Sequence, residues 1–291
     1  MFDAHIHLNY GPADTPREFL QKTAAAGISG GNIFCPPPER TMGRPEGDYR
    51  WEARLEKVLA FTAQTPGFYP FYRFNPTDAD AEKQIFTAAE RGCKGYKIIC
   101  EKYFPKDCLR ACAAVAETGY PIMFHSGVLD GGRDMICTEF NRPSSFEILF
   151  SVRGLRFSLA HVGWPWIDDY MAMVAKAGFT YDPEFGNLMY VDLTPGTPGI
   201  YREEALRKIY LTGYKVKNRV LWGTDACAND YQVKLANYWK TRDIPIMERI
   251  SRDCETARLP FSPGTPDLGD IFHLATEVNW KRFAGIEQPV F

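Results

Sequence analysis

The chain has 291 residues, 45% of them hydrophobic, and its 34 Lys and Arg residues nearly balance its 36 Asp and Glu residues. This balance argues against a nucleic-acid partner or an anionic membrane surface, and the apolar runs are too short to cross a bilayer. Because the amino terminus shows no signal-peptide pattern, we expect a cytoplasmic location.

Apolar and amphipathic segments alternate along the whole chain. The first helix is predicted to begin with a capping box at Thr15 and Glu18, with Pro16 at its first position, and to stop at Gly27. The predicted strands are 2–8, 29–35, 69–75, 94–100, 121–126, 156–162, 187–193 and 219–225. The predicted helices are 15–26, 50–64, 77–91, 105–117, 143–152, 165–177, 201–212 and 229–240.

Strands that alternate with helices predict parallel βαβ units. Eight units are the number found in a TIM barrel, so we expect a (β/α)8 barrel in a single domain over residues 1–291. A tail from about residue 241, including a helix over 268–284, is expected to close the outside of the barrel. The alternative is a doubly wound open sheet, but no Gly-x-Gly-x-x-Gly motif follows the first strand.

Two segments that follow strands are longer than a barrel requires. Residues 35–50 are rich in Pro and Gly, and residues 126–143 contain Gly131 and Gly132. Barrel enzymes carry their active sites on this face, so we expect walls or lids over a site. Family-specific insertions are the alternative.

Polar residues stand at the carboxyl ends of five predicted strands, and these ends converge at one mouth in a closed barrel. Taken singly, each has a structural explanation, such as a hydrogen-bonded histidine, a helix cap or a lysine that snorkels to the rim. Together they would be costly to bury without a common partner, and a cation supplies one. The residues are His5 and His7 on strand one, Lys97 on strand four, His125 on strand five, His161 on strand six and Asp225 on strand eight.

Three imidazoles and one carboxylate can bind a divalent ion and leave a position open for water or substrate. The candidate ligands are His5, His7, His125 and Asp225. Asp225 can also accept a proton, and His161 can polarise a carbonyl or protonate a leaving group. Zinc is the expected ion, although a site of nitrogen and oxygen ligands also accepts manganese or iron.

Candidate substrate-binding residues surround this mouth. Arg73 ends strand three and Arg142 lies in the loop after strand five, and arginine binds carboxylates through two parallel hydrogen bonds. We therefore expect a small anionic substrate, with Lys97 as a further contact and Trp164 as an apolar wall. The alternatives are rim salt bridges for the arginines and packing for the tryptophan.

Five phrases of this sequence resemble the amidohydrolase superfamily, in particular its amidohydrolase-related (amidohydrolase 2) branch of metal-dependent hydrolases and nonoxidative decarboxylases. The resemblance covers residues 2 to about 285. It implies a distorted barrel, one metal ion held by the four candidate ligands, His161 as a catalytic partner, and a homodimer. The phrases are Phe2-Asp3-Ala4-His5-Ile6-His7, Gly92-Cys93-Lys94-Gly95-Tyr96-Lys97, Phe124-His125-Ser126-Gly127, Leu159-Ala160-His161-Val162-Gly163 and Leu221-Trp222-Gly223-Thr224-Asp225.

Lys97 leaves the number of ions open. In superfamily members with two metals, the lysine on strand four is carboxylated and bridges the ions, so a second ion is the alternative here. The sequence also departs from the family near its carboxyl-terminal end. Family members often have an Asn-Ala pair there, whereas here Asn279 is present without the Ala. This difference indicates a divergent subgroup.

Three functions follow from these residues. The first is a metal-dependent hydrolase that cleaves an ester, lactone or amide of a small carboxylated substrate. The second is a metal-dependent decarboxylase, a lyase acting on an aromatic or unsaturated acid. The third is a barrel without metal that is a lactonase or only binds a ligand.

Overall fold

A computed structural model describes residues 1–39, 46–129, 137–256 and 269–287. The strands form one parallel sheet in the order β8-β7-β6-β5-β4-β3-β2-β1-β9. They are β1 (Phe2–His7), β2 (Gly30–Phe34), β3 (Phe68–Arg73), β4 (Gly95–Ile98), β5 (Ile122–Phe124), β6 (Arg156–Leu159), β7 (Leu188–Asp192), β8 (Val220–Leu221) and β9 (Ala226–Cys227). The helices are α1 (Pro16–Ala25), α2 (Trp51–Thr62), α3 (Ala81–Glu90), α4 (Leu109–Glu117), α5 (Ile167–Phe179), α6 (Arg202–Leu211), α7 (Val233–Thr256), α8 (Ile271–His273) and α9 (Asn279–Phe283).

The sheet curls until its two ends meet. β9 pairs with β1 through Ile6 and Ala226, and the amide of Ala4 donates to the carbonyl of Trp222 at 3.0 Å. β8 and β9 are thus two pieces of one interrupted strand that closes the ring. The distorted (β/α)8 barrel expected from the sequence is confirmed, as is the capping box at Thr15 and Glu18.

Several predicted elements differ from the structure in extent or type. Strand six stops at Leu159, just before His161 with its left-handed backbone angles, which a β-ladder excludes. Strand eight is interrupted over residues 222–225, the last of which, Asp225, is also left-handed, and pairing resumes at Ala226. Residues 143–151 form a 3₁₀ helix in place of an α-helix. The last predicted helix, 229–240, begins instead at Val233 and continues to Thr256, with Pro245 inside it.

The inside of the barrel is filled by a small apolar cluster. It is plugged at its amino-terminal end by α9, and we call this end the floor. Trp280 of α9 is fully buried, stacks on Phe2 with ring centroids 4.5 Å apart and donates to Asn32 Oδ1 at 2.9 Å. The expectation that the tail closes the outside of the barrel is therefore wrong for α9, which closes its end. The cluster comprises Ala4, Phe34, Phe71, Met123, Leu188, Tyr190, Leu221, Trp280, Phe283 and Ala284.

Parts of the two long loops, residues 40–45 and 130–136, lie outside the described residues, so the expected lids stay predictions. Residue 268 of the predicted last helix also lies outside them. In the described parts of the chain, no helix combines the length and hydropathy needed to cross a membrane. The single domain and the homodimer also stay predictions.

Candidate metal centre

Four histidines meet at the carboxyl-terminal end of the barrel, which we call the mouth. His5 and His7 lie on one face of β1 with ring centroids 5.1 Å apart, as the alternation of a strand predicts. The His161 ring lies 5.3 Å from that of His5 and 4.7 Å from that of His125. The topology thus brings together histidines that are far apart in sequence.

Asp225 completes this group. Its Oδ1 lies 3.2 Å from His7 Nε2 and 3.6 Å from His5 Nε2. Metal–ligand bonds of about 2.0–2.1 Å in a tetrahedron place ligand atoms roughly 3.3 Å apart. The two distances from Asp225 are close to this spacing, and imidazole nitrogens with a carboxylate oxygen are donors that suit a metal ion of the zinc type.

We expected His161 to be a catalytic partner and not a ligand, but it lies close to the candidate ligand atoms. Ligand atoms of His5, His161 and Asp225 all lie within 4.8 Å of one another. His125 contacts the group through the ring of His161. The group of ligand atoms within this distance therefore contains His161, and it includes neither His125 nor His7.

His5 is oriented by a residue that the sequence analysis missed. Its Nδ1 donates to Asp192 Oδ2 at 2.9 Å, and both side chains are fully buried. Asp192 is held in turn by the amide of Thr194 at 2.7 Å and by the Thr194 hydroxyl. The remaining lone pair of His5 is on Nε2, as in metal sites where a carboxylate orients the ligating histidine. Asp192 ends an apolar strand, so the signal that identified the other mouth residues was present here too.

His125 and His161 are anchored by backbone carbonyls. His125 Nε2 donates to Val128 O at 3.1 Å, and His161 Nδ1 donates to Pro195 O at 2.9 Å. Because a carbonyl oxygen can only accept, each anchored nitrogen carries the proton. The other nitrogen of each neutral ring is then available to a ligand.

Burial keeps the imidazoles of His5, His7 and His125 neutral, which is the form that binds metal. It lowers the pKa of His7 to about 4 and the pKa of His5 and His125 well below their usual value, and the positive charge of Lys97 adds to the effect. Burial opposes ionisation of Asp225. The hydrogen bond from His7 and the neighbouring imidazoles outweigh burial, so the pKa of Asp225 lies below its usual range.

The backbone of the mouth is strained. His161, Val162 and Asp225 have φ values of 62°, 52° and 58°, a region that residues other than glycine rarely adopt. Close packing holds the histidines, since a Cβ on Gly223 would lie 2.9 Å from the Cβ of His5. Position 223 therefore requires glycine, because a side chain there would collide with the candidate ligand His5.

A second buried aspartate fixes β1 to the segment that carries Asp225. Asp3 accepts hydrogen bonds from the amide of Thr224 at 2.9 Å, from its hydroxyl at 2.5 Å and from the Tyr231 hydroxyl at 3.1 Å. It contacts His5 only through the backbone amide, at 3.1 Å. Asp3 therefore positions the strand, whereas Asp192 positions the ring.

Lys97 is completely buried and does not snorkel to the rim. Its Nζ lies 3.3 Å from His5 Nε2 and 5.0 Å from the centre of the Phe34 ring. Burial lowers the pKa of Lys97 to about 7, although Asp192 and Asp225 act to raise it. The Lys97 amine therefore lies inside the centre, next to the candidate ligand His5.

The predicted substrate-binding residues lie at different depths. Arg73 is buried at the end of β3, and its Nη2 donates to Glu101 Oε1 at 2.8 Å. Arg142 is half-exposed on the rim and pairs with Asp169 at 2.5 Å. Trp164 is half-buried and stacks on Tyr201 with centroids 4.8 Å apart. Arg73 is thus an inner residue, while Arg142 and Trp164 belong to the rim.

Neither a protein-family model nor a curated protein sequence matches this chain. Solved structures do share its fold. An amidohydrolase from Burkholderia multivorans, crystallised with bound HEPES, has a TM-score of 0.59 at 11% identity and covers 98% of each chain. A candidate 2-pyrone-4,6-dicarboxylic acid hydrolase from Pseudomonas putida has a TM-score of 0.58 at 10% identity, covering 98% of this chain and 97% of that one. A candidate metal-dependent hydrolase from Lactobacillus casei has a TM-score of 0.59 at 12% identity, covering 96% and 80%. At these identities the likeness shows the fold.

Proposed function

We propose that this chain is a metal-dependent hydrolase of the amidohydrolase superfamily and that it binds one divalent ion, with zinc as the first choice. One observation carries the proposal: two neutral imidazoles direct their Nε2 atoms to the same carboxylate oxygen of Asp225, with Asp192 behind one of them. The sequence phrases at the strand ends and the hydrolases that share the fold support it. The proposed ligands are His5, His7, His125 and Asp225.

A divalent ion bound here would lower the pKa of a water molecule and polarise a substrate oxygen. The protein's own groups supply the proton transfers. Asp225 accepts the proton of the attacking water, and its left-handed backbone holds the carboxylate at the mouth. His161 donates its Nδ1 proton to Pro195 O, so its other nitrogen would first receive the proton taken up by Asp225, within 4.8 Å, and would then pass it to the leaving group.

The substrate we propose is an ester, lactone or amide of a small carboxylated molecule. Arg73 supports this class because its guanidinium is buried near the centre, where its charge acts on His7 and His125. A carboxylate would share this guanidinium with Glu101. Lys97, Arg142 and Trp164 are the further proposed contacts.

Two alternatives keep the same centre. Carboxylation of Lys97 would allow a second ion, and the lowered pKa of this lysine supplies the neutral amine that carboxylation needs. A decarboxylase would bind a carboxylated ring at the same ion and release carbon dioxide.

Elemental analysis of protein purified without chelator tests the metal. We expect one equivalent of a transition metal, and two equivalents would favour the carboxylated Lys97. Less than about a tenth of an equivalent, unchanged after incubation with zinc or manganese, would contradict the proposal and favour the barrel without metal.

A matched pair of variants tests the ligand assignment. We expect His125→Asn to lower the metal content and His161→Asn to keep it while losing turnover. The reverse result would exchange the roles of the two histidines.

A panel of lactones, esters and aromatic acids tests the reaction. A hydrolase releases a proton without carbon dioxide, whereas a decarboxylase releases carbon dioxide. Release of carbon dioxide from an acid in the panel, with no hydrolysis of any ester or lactone, would replace the hydrolase by the lyase.

A further inference from the structure

A second group of polar side chains lies inside the barrel, towards the floor. Ser158 on β6 and Tyr190 on β7 are directly paired in register, and both side chains are buried. Their hydroxyls find no hydrogen-bond partner among the described residues. Arg156, two residues before Ser158 on the same strand face, has a buried Nε that is also without a partner there. Such unsatisfied groups are rare because each loses its bonds to water on burial.

Positive charge surrounds these atoms. Arg282 of α9 has a buried Nη1 without a partner in the described chain, and the neighbouring Phe283 ring lies 5.1 Å from the Tyr190 ring. Arg219 donates to the carbonyl of Met189, the residue before Tyr190, at 2.9 Å. Burial raises the pKa of Tyr190 to about 12, while the charges of the three arginines act to lower it.

Among the residues that the structure describes, no carboxylate balances the charges of Arg156 and Arg282. Over the described ranges, Arg156 and Arg282 form no ion pair, and Arg156 Nη2 donates to the carbonyl of Gly119 at 3.0 Å. Burial lowers the pKa of Arg156 and lowers that of Arg219 to about 10. Holding several cations together without an anion is unfavourable, so this group has the electrostatics of an anion site.

We propose that the floor holds a binding site for a small phosphate-like oxyanion, formed by Arg156, Arg282 and the Tyr190 hydroxyl. Guanidinium groups present several donors in one plane and bind oxyanions through paired hydrogen bonds. Arg219 adds positive charge behind the site. Arg156 and Arg282 are only partly buried, which gives the anion a path from the amino-terminal end of the barrel.

This site is separate from the proposed metal centre. Tyr190 precedes Asp192 by two residues on the same face of β7, so the floor site lies roughly 7 Å below the residue that orients His5. The proposal therefore holds whether or not the mouth binds metal.

Thermal unfolding of the full-length, metal-loaded protein tests the site, with inorganic phosphate as the probe and sodium chloride at matched ionic strength as the reference. We expect phosphate to raise Tm in a saturable way. Arg282→Gln and Arg156→Gln should weaken phosphate binding at least about tenfold, measured by calorimetry, because each removes a charged donor. Arg153→Gln is the matched control, since Arg153 is exposed at the same end of the barrel and contacts Glu184 and Phe185.

Tyr190→Phe separates a ligand role from a structural one. Removing a hydroxyl that has no partner in the described part of the chain should leave Tm in chloride unchanged or higher, while the affinity for phosphate falls. A purely structural hydroxyl would lower Tm equally in both salts.

Three outcomes would overturn the proposal. The first is an equal Tm in phosphate and in chloride, as expected if water satisfies these atoms. The second is a phosphate shift of the same size in Arg282→Gln and Arg153→Gln. The third is a shift that is lost in Asp225→Asn and kept in Arg282→Gln, which would assign phosphate to the mouth.

Discussion

The mouth and the floor of the barrel treat buried polar groups differently. At the mouth, His5, His125 and His161 each have one ring nitrogen anchored by a carboxylate or a carbonyl. At the floor, α9 inserts the apolar side chains of Trp280 and Phe283. The mouth therefore holds its polar atoms in place with protein partners, whereas the floor buries apolar area beside polar atoms, such as the Tyr190 hydroxyl, that have no partner among the described residues. Changes at the two ends should consequently affect different measurements.

Asp225→Asn should give the largest effect at the mouth. It removes a proton acceptor while keeping the volume, and a positioned base contributes about 10²–10⁴-fold to rate. We expect kcat to fall by that factor with the fold retained, as measured by turnover and circular dichroism. Asp230→Asn, at an exposed carboxylate nearby, is the control and should keep full activity. Full activity in Asp225→Asn would remove this residue from the mechanism.

Trp280→Ala should give the largest effect at the floor. Truncating a buried tryptophan costs about 3–5 kcal/mol of unfolding free energy, and Asn32 also loses its hydrogen-bond donor. We expect a loss in this range by urea unfolding, with unchanged metal content per folded molecule. Phe179→Ala is the control because that ring is 82% exposed. Loss of metal at full folding would show that the two ends are not independent.

Asp192→Asn should weaken metal binding without removing a proposed ligand. Loss of a carboxylate that orients a ligating histidine typically lowers metal affinity by about 10–100-fold. Competition with a chelator measures this change. Asp3→Asn is the contrasting variant, expected to lose stability by about 1–3 kcal/mol while losing less affinity. Equal losses of affinity would mean that Asp192 acts through the strand and not through the ring of His5.

Arg142→Gln should give the smallest effect, because its guanidinium pairs with Asp169 on the exposed rim. We expect KM for a carboxylated substrate to rise less than about threefold. Arg73→Gln, at the buried guanidinium, should raise KM about tenfold or more. A larger effect of Arg142→Gln would move the carboxylate site from the inner mouth to the rim.

The alternation of strands and helices was sufficient to predict the barrel. Strand ends also located the mouth, because parallel strands align their carboxyl ends at one edge. His5 and His7 followed from the two-residue period of β1. These features depend on local pattern, which a single sequence records directly.

The missed features depend on contacts across the fold. Asp192 stands at a strand end like the other mouth residues, but its hydrogen bond to a histidine 187 residues away cannot be read from the local pattern. The left-handed angles of His161 and Asp225 contradict their local preference and persist only through surrounding packing. The sequence did not predict that Trp280 plugs the barrel. It shows that the residue is apolar, but it does not show which space in the fold the side chain fills.

The interrupted last strand has a consequence for the order of folding. Asp3 and Thr224, which join β1 to this strand, are 221 residues apart, so their contact closes a very long loop. Contacts of such separation are slow to form. The proposed ligands on β1 meet Asp225 only when β1 joins the last strand, so a chain folded only as far as β7 has an incomplete site. The moment at which refolding protein takes up metal would therefore report when the barrel closes.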